Sequence, residues 1–483
     1  MSSPVMQTNA ARNHSRTPIA LLAVVLGASA LLRLLFLADF PQVQADEGLW
    51  TNSTKNFLMF GDWTMDGRTH VFLSPVFHFL SLLTFHLFGS SIESARLVSA
   101  AAGTASVYLM YRVARHATQD NWLALTVTLV IAVDIWFVLS SRWALIEPVQ
   151  LFFALGATAL LFGSRRQILF AGGIFALALL TKLNTAVLGL VLAAFLAVRS
   201  CSSTGESKWK DRALDSLTFG SSALFIAGVG YLLLYIWSPT DFISAFRFEL
   251  EGQHFDRDGT AVMRANRWGI SPALIGHSVL ELIRTTPFLV AFASAGAIIA
   301  FAERIPGWKL FGIWLIFGIG FPLIQVFQPV RYFFLAAPAL AYFAGVFLAY
   351  VGSGLTESRR VRHGTILLYV CFNLSYLSIS YLASADNDAR HVSAWVKAHI
   401  DADAILMTAG YFATDLPNRA YAHYHFAATP EDLSRNLHDL AVEYIVWDES
   451  EWPPWSRAFL HDRFEHIDVI RETPLIEVFR VRE

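Results

Sequence analysis

The sequence predicts a mainly α, polytopic helical membrane protein. It has about eleven transmembrane helices, interfacial helices in the first outer loop and a small C-terminal α/β domain. Three observations predict this. Of 483 residues, 55% are hydrophobic and only 15% charged, and the mean hydropathy of +0.47 lies outside the range of soluble chains of this size. Apolar stretches of spanning length recur near residues 18–37, 71–89, 93–113, 121–140, 148–163, 168–181, 184–198, 214–237, 286–303, 309–327, 332–351 and 363–382. After Leu382 charges become frequent and apolar runs shorten to strand length.

The stretch 18–37 is followed by charged sequence without a small-residue cleavage site, so it reads as a retained anchor helix. Arg12 and Arg16 precede it, which puts the N-terminus in the cytoplasm and Asp46-Glu47 outside. Later basic clusters are Arg112/Arg115, Arg165/Arg166, Arg199/Lys208/Lys210/Arg212, Arg304/Lys309 and Arg359/Arg360/Arg362. If all twelve stretches crossed, each of these clusters would lie outside; if 71–89 does not cross, each is cytoplasmic. That stretch carries Pro75, His78 and His86, poor lipid-facing residues, and fits a helix lying in the outer interface. A twelfth genuine span is the alternative. With eleven, residues 38–92, the turns near 140–148, 181–182 and 328–332, the loop 238–285 and everything after 383 share the outer side.

Residues 1–383 thus form the membrane domain and 384–483 the outer α/β domain. In the latter, AWVKAHI reads as an amphipathic helix, AILMT and VEYIVWD as strands, TPEDLSRNLHDL as a helix capped by Thr429, and HIDVIRETPLIEVFRV as a hairpin turning at Thr473-Pro474. It has no glycine-rich phosphate fingerprint, so no cofactor is expected, and WDESEWPPW reads as a solvated loop. The net charge of −2 gives no bulk attraction to nucleic acid. Cys201 and Cys371 fall in a cytoplasmic loop and a span, so no disulfide is expected.

Polar groups collect on the outer side. ADEGLW holds Asp46 and Glu47, which alone could be a polar helix boundary. SRWALIEPVQ holds Arg142 and Glu147, LLTK holds Lys182, and QPVRYFFLAAP holds Arg331 and Tyr332. Any one cation here could snorkel to lipid headgroups; several on one face point to an anion site. A carboxylate can take or orient the proton of an attacking hydroxyl, and cations can steady the growing charge of a leaving phosphate; direct attack on the carbon that bears the phosphate inverts it. No Cys or His cluster has zinc spacing and Asp46-Glu47 is not a DxD pair; His254 and Asp256 leave a divalent metal open, without committing to one.

In order along residues 40–340, ADEGLW…GDW, LFGSSIESARLVSA, SRWALIEP, LLTK, FELEGQHFDR with its His254-x-x-Arg257 spacing, and VRYFFLAAP resemble the GT-C class of membrane glycosyltransferases. The likeness is to the branch of protein O-mannosyltransferases and bacterial aminoarabinose transferases acting on lipid A. The resemblance implies a transferase moving a sugar from a polyprenyl-phosphate carrier to a lipid, glycan or protein acceptor outside the cytoplasm, at a bacterial inner membrane. It implies Asp46, with Glu47 beside it, as the catalytic acid pair. Arg142, Lys182, Arg257 and Arg331 would bind the donor phosphate, with Glu147, His254 and Tyr332 as further site residues. Where relatives carry Lys or His-Pro before the proline of the interfacial helix, this chain has Ser74-Pro75. The competing readings are a transporter or flippase, which would place charges near the bilayer midplane, and a lipid-linked oligosaccharide polymerase or ligase.

Overall fold

A computed structural model describes residues 17–65, 69–198, 206–251, 253–255, 261–263, 272–324, 330–351, 359–383, 388–409, 413–422, 427, 429–472 and 474–481. The chain begins α1 (Thr17–Leu34), α2 (Ala45–Phe60), α3 (Pro75–Phe88), α4 (Ile92–Thr118), α5 (Asn121–Val133), α6 (Ile135–Arg142), α7 (Ile146–Leu160), α8 (Arg165–Thr181), α9 (Ala186–Val198), α10 (Glu206–Trp237) and α11 (Pro239–Glu251). A short hairpin follows, β1 (Gln253–Phe255) with β2 (Ala261–Met263). Then come α12 (Pro272–Thr285), α13 (Pro287–Ala302), α14 (Trp308–Leu323), α15 (Ala337–Val351) and α16 (Arg359–Ala383). Each of the twelve apolar stretches is therefore largely helical over its described residues.

Local chemistry sets many of the boundaries. Asp120 accepts the Trp122 and Leu123 N–H groups to open α5, Ser91 accepts Ser94 N–H to open α4, and Gly61, at φ +75°, closes α2 in the left-handed conformation a glycine adopts freely. Most of the helices share one core, with α3 and α11 in smaller clusters of their own, and within the large core α13 and α15 approach so closely that a Cβ on Gly296 would meet the Phe343 carbonyl. Outward, α10 exposes Leu224, Phe225 and Ile236 and α16 exposes Leu367 and Leu382, surfaces suited to lipid rather than water.

The stretch 121–140 is not one straight helix: α5 and α6 meet at 56°. The break sits at Asp134, whose Oδ1 accepts Phe137 N–H (3.1 Å) and opens α6, and whose Oδ2 accepts the hydroxyls of Thr286 (2.7 Å) and Tyr369 (3.1 Å). Arg33 donates to the Ile131 and Ala132 carbonyls that α5 leaves open. Buried charge thus satisfies both ends of the break. Among the described residues, three helices are each long and apolar enough to cross a membrane, and two bent pairs pass together: α5 with α6, and Ile275–Thr285 with α13.

The C-terminal hundred residues hold α17 (Asp388–His399), β3 (Leu406–Thr408), β4 (Ala420–Tyr421), α18 (Pro430–Asp439), β5 (Tyr444–Asp448), α19 (Pro454–Arg463), β6 (Glu465–Glu472) and β7 (Leu475–Arg480). The sheet runs β4-β3-β5-β7-β6, parallel over the first three strands and antiparallel over the last three. The strands and the β6–β7 hairpin lie where the sequence puts them, and Thr429 caps α18 through Asp432 N–H (3.2 Å). β4 and α19 were not anticipated; Pro454 opens α19 inside the stretch read as a solvated loop. A separate core of Leu406, Ile445, Val446, Val478 and Phe479 also takes in Met65, from the segment between α2 and α3.

Candidate functional site

ADEGLW does not end a helix. Asp46 and Glu47 sit in the first turn of α2, where the exposed N–H groups favour negative charge. Successive helical residues diverge by about 100°, and these two carboxylates take different partners.

Asp46 forms an ion pair with Arg331, which lies in the 3₁₀ turn Val330–Ala336 that leads into α15. The Nε of Arg331 is 3.9 Å from Oε1 of Glu147, in the first turn of α7. The same Oε1 accepts Lys182 Nζ at 2.7 Å. Tyr332 lies beneath both cations, its ring centroid 4.4 Å from Lys182 Nζ and 5.7 Å from the Arg331 guanidinium carbon. Five residues from four separate segments thus gather into one cluster of two carboxylates, two cations and an aromatic ring. Lys182 is placed by an extended residue that stops α8. Ser74 donates to the Thr181 carbonyl at 2.6 Å, tying the start of α3 to the Lys182 turn. The departure at Ser74-Pro75 is therefore a structural tether.

Exposure differs across the cluster. The side chain of Asp46 is 37% exposed, those of Arg331 and Lys182 21% and 18%, and that of Glu147 5%. Glu147 Oε2 is buried and accepts no hydrogen bond among the described residues.

Glu47 corrects the expectation of a catalytic pair. It is fully buried; its Oε1 accepts Arg96 Nε (2.6 Å) and Ala144 N–H (2.8 Å), and its Oε2 accepts Arg96 Nη2 (2.9 Å) and Gln44 N–H (3.3 Å). With its acceptor capacity committed, Glu47 serves as an anchor that joins α2 to α4 and to the turn before Glu147. Arg142 is a second correction. Its guanidinium donates to the carbonyls of Leu32 (2.6 Å), Leu35 (2.7 Å), Phe36 (3.0 Å) and Phe40 (2.9 Å), closing the end of α1 and the loop after it. That leaves it a clamp on backbone rather than a phosphate ligand. Arg257 and the side chain of His254 lie outside the described residues. Sequence reasoning missed Arg96; its signal was an arginine within the small and apolar run of IESARLVSA, where an unpaired charge is costly. Among the described residues no three of His, Cys, Asp or Glu gather as a metal site requires.

Residues 73–214 match the family model for dolichyl-phosphate-mannose-protein mannosyltransferase. Comparison with curated protein sequences gives no match. Among solved structures, the apo state of ArnT from Cupriavidus metallidurans is similar with a TM-score of 0.69 at 15% identity, over 96% of this chain and 98% of that one. The same protein bound to undecaprenyl phosphate gives 0.66 at 15% identity, over 96% and 97%. The archaeal oligosaccharyltransferase AglB from Archaeoglobus fulgidus, in complex with an inhibitory peptide and a dolichol-phosphate, gives 0.61 at 12% identity, over 97% of this chain and 74% of that one. Likeness at these identities is a likeness of fold. The chain shares the fold of the ArnT and AglB structures over nearly its whole length, and its residues 73–214 match the protein-mannosyltransferase family model.

Proposed function

We propose that this protein is an inverting glycosyltransferase that moves a sugar from a polyprenyl-phosphate carrier to a lipid, glycan or protein acceptor on the non-cytoplasmic face. The observation that carries the reading is the gathering of Asp46, Glu147, Lys182, Arg331 and Tyr332 from four segments into one partly open cluster. The ArnT and AglB structures of this fold hold undecaprenyl phosphate and dolichol-phosphate, respectively. In this reading the acceptor hydroxyl oxygen attacks the anomeric carbon while its proton passes to Asp46. The bond from that carbon to the phosphate oxygen breaks, and its electron pair stays on the phosphate. The leaving phosphate needs no general acid, since Lys182 and Arg331 meet its growing charge. Glu147 holds the two cations in place. Glu47 and Arg142 shape the loop that presents Asp46.

The same reading includes eleven spans with α3 in the outer interface, an outer domain at 384–483, a cytoplasmic N-terminus and a bacterial inner membrane. Support for α3 comes from both of its ends. His78 Nδ1 lies 2.7 Å from Thr54 of α2, and just past the other end Ser90 donates to the Thr414 carbonyl and Ile92 N–H to Asp415.

Transfer is tested with purified protein in lipid nanodiscs and a labelled polyprenyl-phosphate sugar. Asp46→Asn is expected to lower turnover by about 10²–10⁴-fold. Lys182→Ala and Arg331→Ala are expected to weaken donor binding. Wild-type turnover in Asp46→Asn would remove it as the base, and unchanged donor affinity in both cation variants would remove the phosphate role.

A further inference from the structure

We infer that the site rests in a self-paired state, in which Asp46 occupies the cation that the donor phosphate needs, and that phosphate binding displaces Asp46 from Arg331 and so frees it for the acceptor. This rests on the reading of Lys182 and Arg331 as phosphate ligands. The charge balance of the cluster motivates it. Asp46 and Glu147 carry two negative charges and Lys182 and Arg331 two positive ones, so the empty cluster is neutral and each cation already has a carboxylate. A donor phosphate must compete for them.

The two carboxylates are not equally displaceable. Glu147 is nearly enclosed, contacts Lys182 at 2.7 Å, lies 3.9 Å from Arg331 and, among the described residues, keeps Oε2 without a hydrogen bond. It has the spare acceptor capacity to retain both cations when they turn toward an anion, and water is remote from it. Asp46 has one cationic partner among the described contacts of the cluster and is the most exposed of the four groups. Its release costs the least desolvation, because water or an incoming hydroxyl can replace the guanidinium at once.

The chemistry then orders the reaction. A carboxylate locked to a guanidinium has little to offer an attacking hydroxyl. A polyprenyl-phosphate sugar is a diester with one negative charge; as the sugar leaves, the phosphate becomes a monoester and its charge grows toward two. Arg331, already turned from Asp46 to the bound phosphate, holds it more tightly as that charge grows, and Asp46 stands free to take the acceptor's proton. The donor binds first, and the acceptor meets an active carboxylate only when the donor is present, which limits futile encounters at the open site.

The test is the affinity for undecaprenyl phosphate of detergent-purified variants, measured by thermophoresis. Asp46→Asn is expected to bind about three- to tenfold more tightly than wild type, the scale of a partly exposed ion pair. Asp46→Ser, which suits the first turn of α2, is expected to do the same if Asp46→Asn folds poorly. In an Arg331→Ala background the gain from Asp46→Asn disappears. If Lys182→Ala and Arg331→Ala weaken binding while Asp46→Asn and Asp46→Ser leave it unchanged or weaker, the phosphate site stands and the exchange is wrong. A gain of equal size with and without Arg331 also overturns the exchange, since it would report only the general field of a removed negative charge. If neither cation variant alters binding, the underlying phosphate assignment fails and the inference falls with it.

Discussion

At the residue scale, Asp46 and Glu47 show how two adjacent carboxylates come to opposite uses. Asp46 is part-exposed and pairs with a part-exposed Arg331, whereas Glu47 is enclosed with Arg96 in a pair with no exposed surface. Breaking a buried pair by removing one partner strands the other charge and costs about 3–5 kcal/mol, while replacing both by apolar groups of similar size is near neutral. Glu47→Gln is therefore expected to lose stability on about that 3–5 kcal/mol scale, and Glu47→Met combined with Arg96→Met to recover most of it, both read by thermal denaturation in detergent. A Glu47→Gln protein that melts like wild type but has lost transfer would return Glu47 to the chemistry. The residues of the cluster were legible in the sequence because charges beside apolar runs are few and the charge rule predicts one side for them. The division of labour was not, since it depends on which carboxylate Arg96 reaches across 49 positions of chain. Arg142 misled for the same reason, since its position beside a span said nothing of the carbonyls it would close.

At the scale of an element, α2 is the platform of the site, and what fixes it arrives from far along the chain. Its polar run WTNSTKN reads as water-facing, yet Thr51, Asn52, Lys55 and Asn56 are fully buried. Thr51 meets the Thr414 hydroxyl at 2.6 Å, Asn52 and Asn56 donate to the Ala420 carbonyl, and Lys55 Nζ donates to the carbonyls of Ala413 (2.9 Å) and Asn418 (2.7 Å). The face that looked solvated is covered by the 413–422 segment, which no local pattern reveals. Burial pushes the Lys55 amine down from 10.5 to about 7, against the opposing influence of Asp415. The folded value lies below the unfolded one, so Lys55's share of stability is fully present above 10.5 and is lost as pH falls toward 7. In that window the unfolded chain holds one more proton, and docking strengthens with pH by up to about 1.4 kcal/mol per unit. Thermal denaturation at pH 7 and pH 9 is expected to show this rise in wild type. Lys55→Met is expected to be less stable throughout, with the rise abolished; an undiminished slope in that variant would assign the pH dependence to another group.

At the scale of the whole molecule, helical class and the order of elements followed from composition and apolar period, because lipid demands continuous runs and satisfied backbones. The bends did not, since Asp134 and Thr286 sit at the breaks bonded to each other and, for Asp134, to Tyr369 of α16, while Arg33 of α1 takes the carbonyls that α5 leaves open. The placement of α3 is where the arrangement of the entire chain bears on function, because a crossing α3 would invert every later segment relative to Asp46. A 14-residue helix is about 21 Å long, shorter than the roughly 30 Å hydrocarbon core. Its beginning rests on α2 and on the Lys182 turn, and the residues after its end rest on Thr414 and Asp415, themselves docked on α2. Contacts with one platform at both ends are what the proposed interfacial placement of α3 requires. In a Cys201→Ser/Cys371→Ser background, a cysteine at Gly89 is accordingly expected to react with a membrane-impermeant maleimide added to intact cells, as is one at Glu449 in the C-terminal segment. Arg166 and Arg304, substituted in turn, are expected to react only after permeabilisation. Labelling at position 89 confined to permeabilised cells, with Glu449 still accessible from outside, would make α3 a crossing helix and separate the Asp46 platform from the segment the structure docks against it.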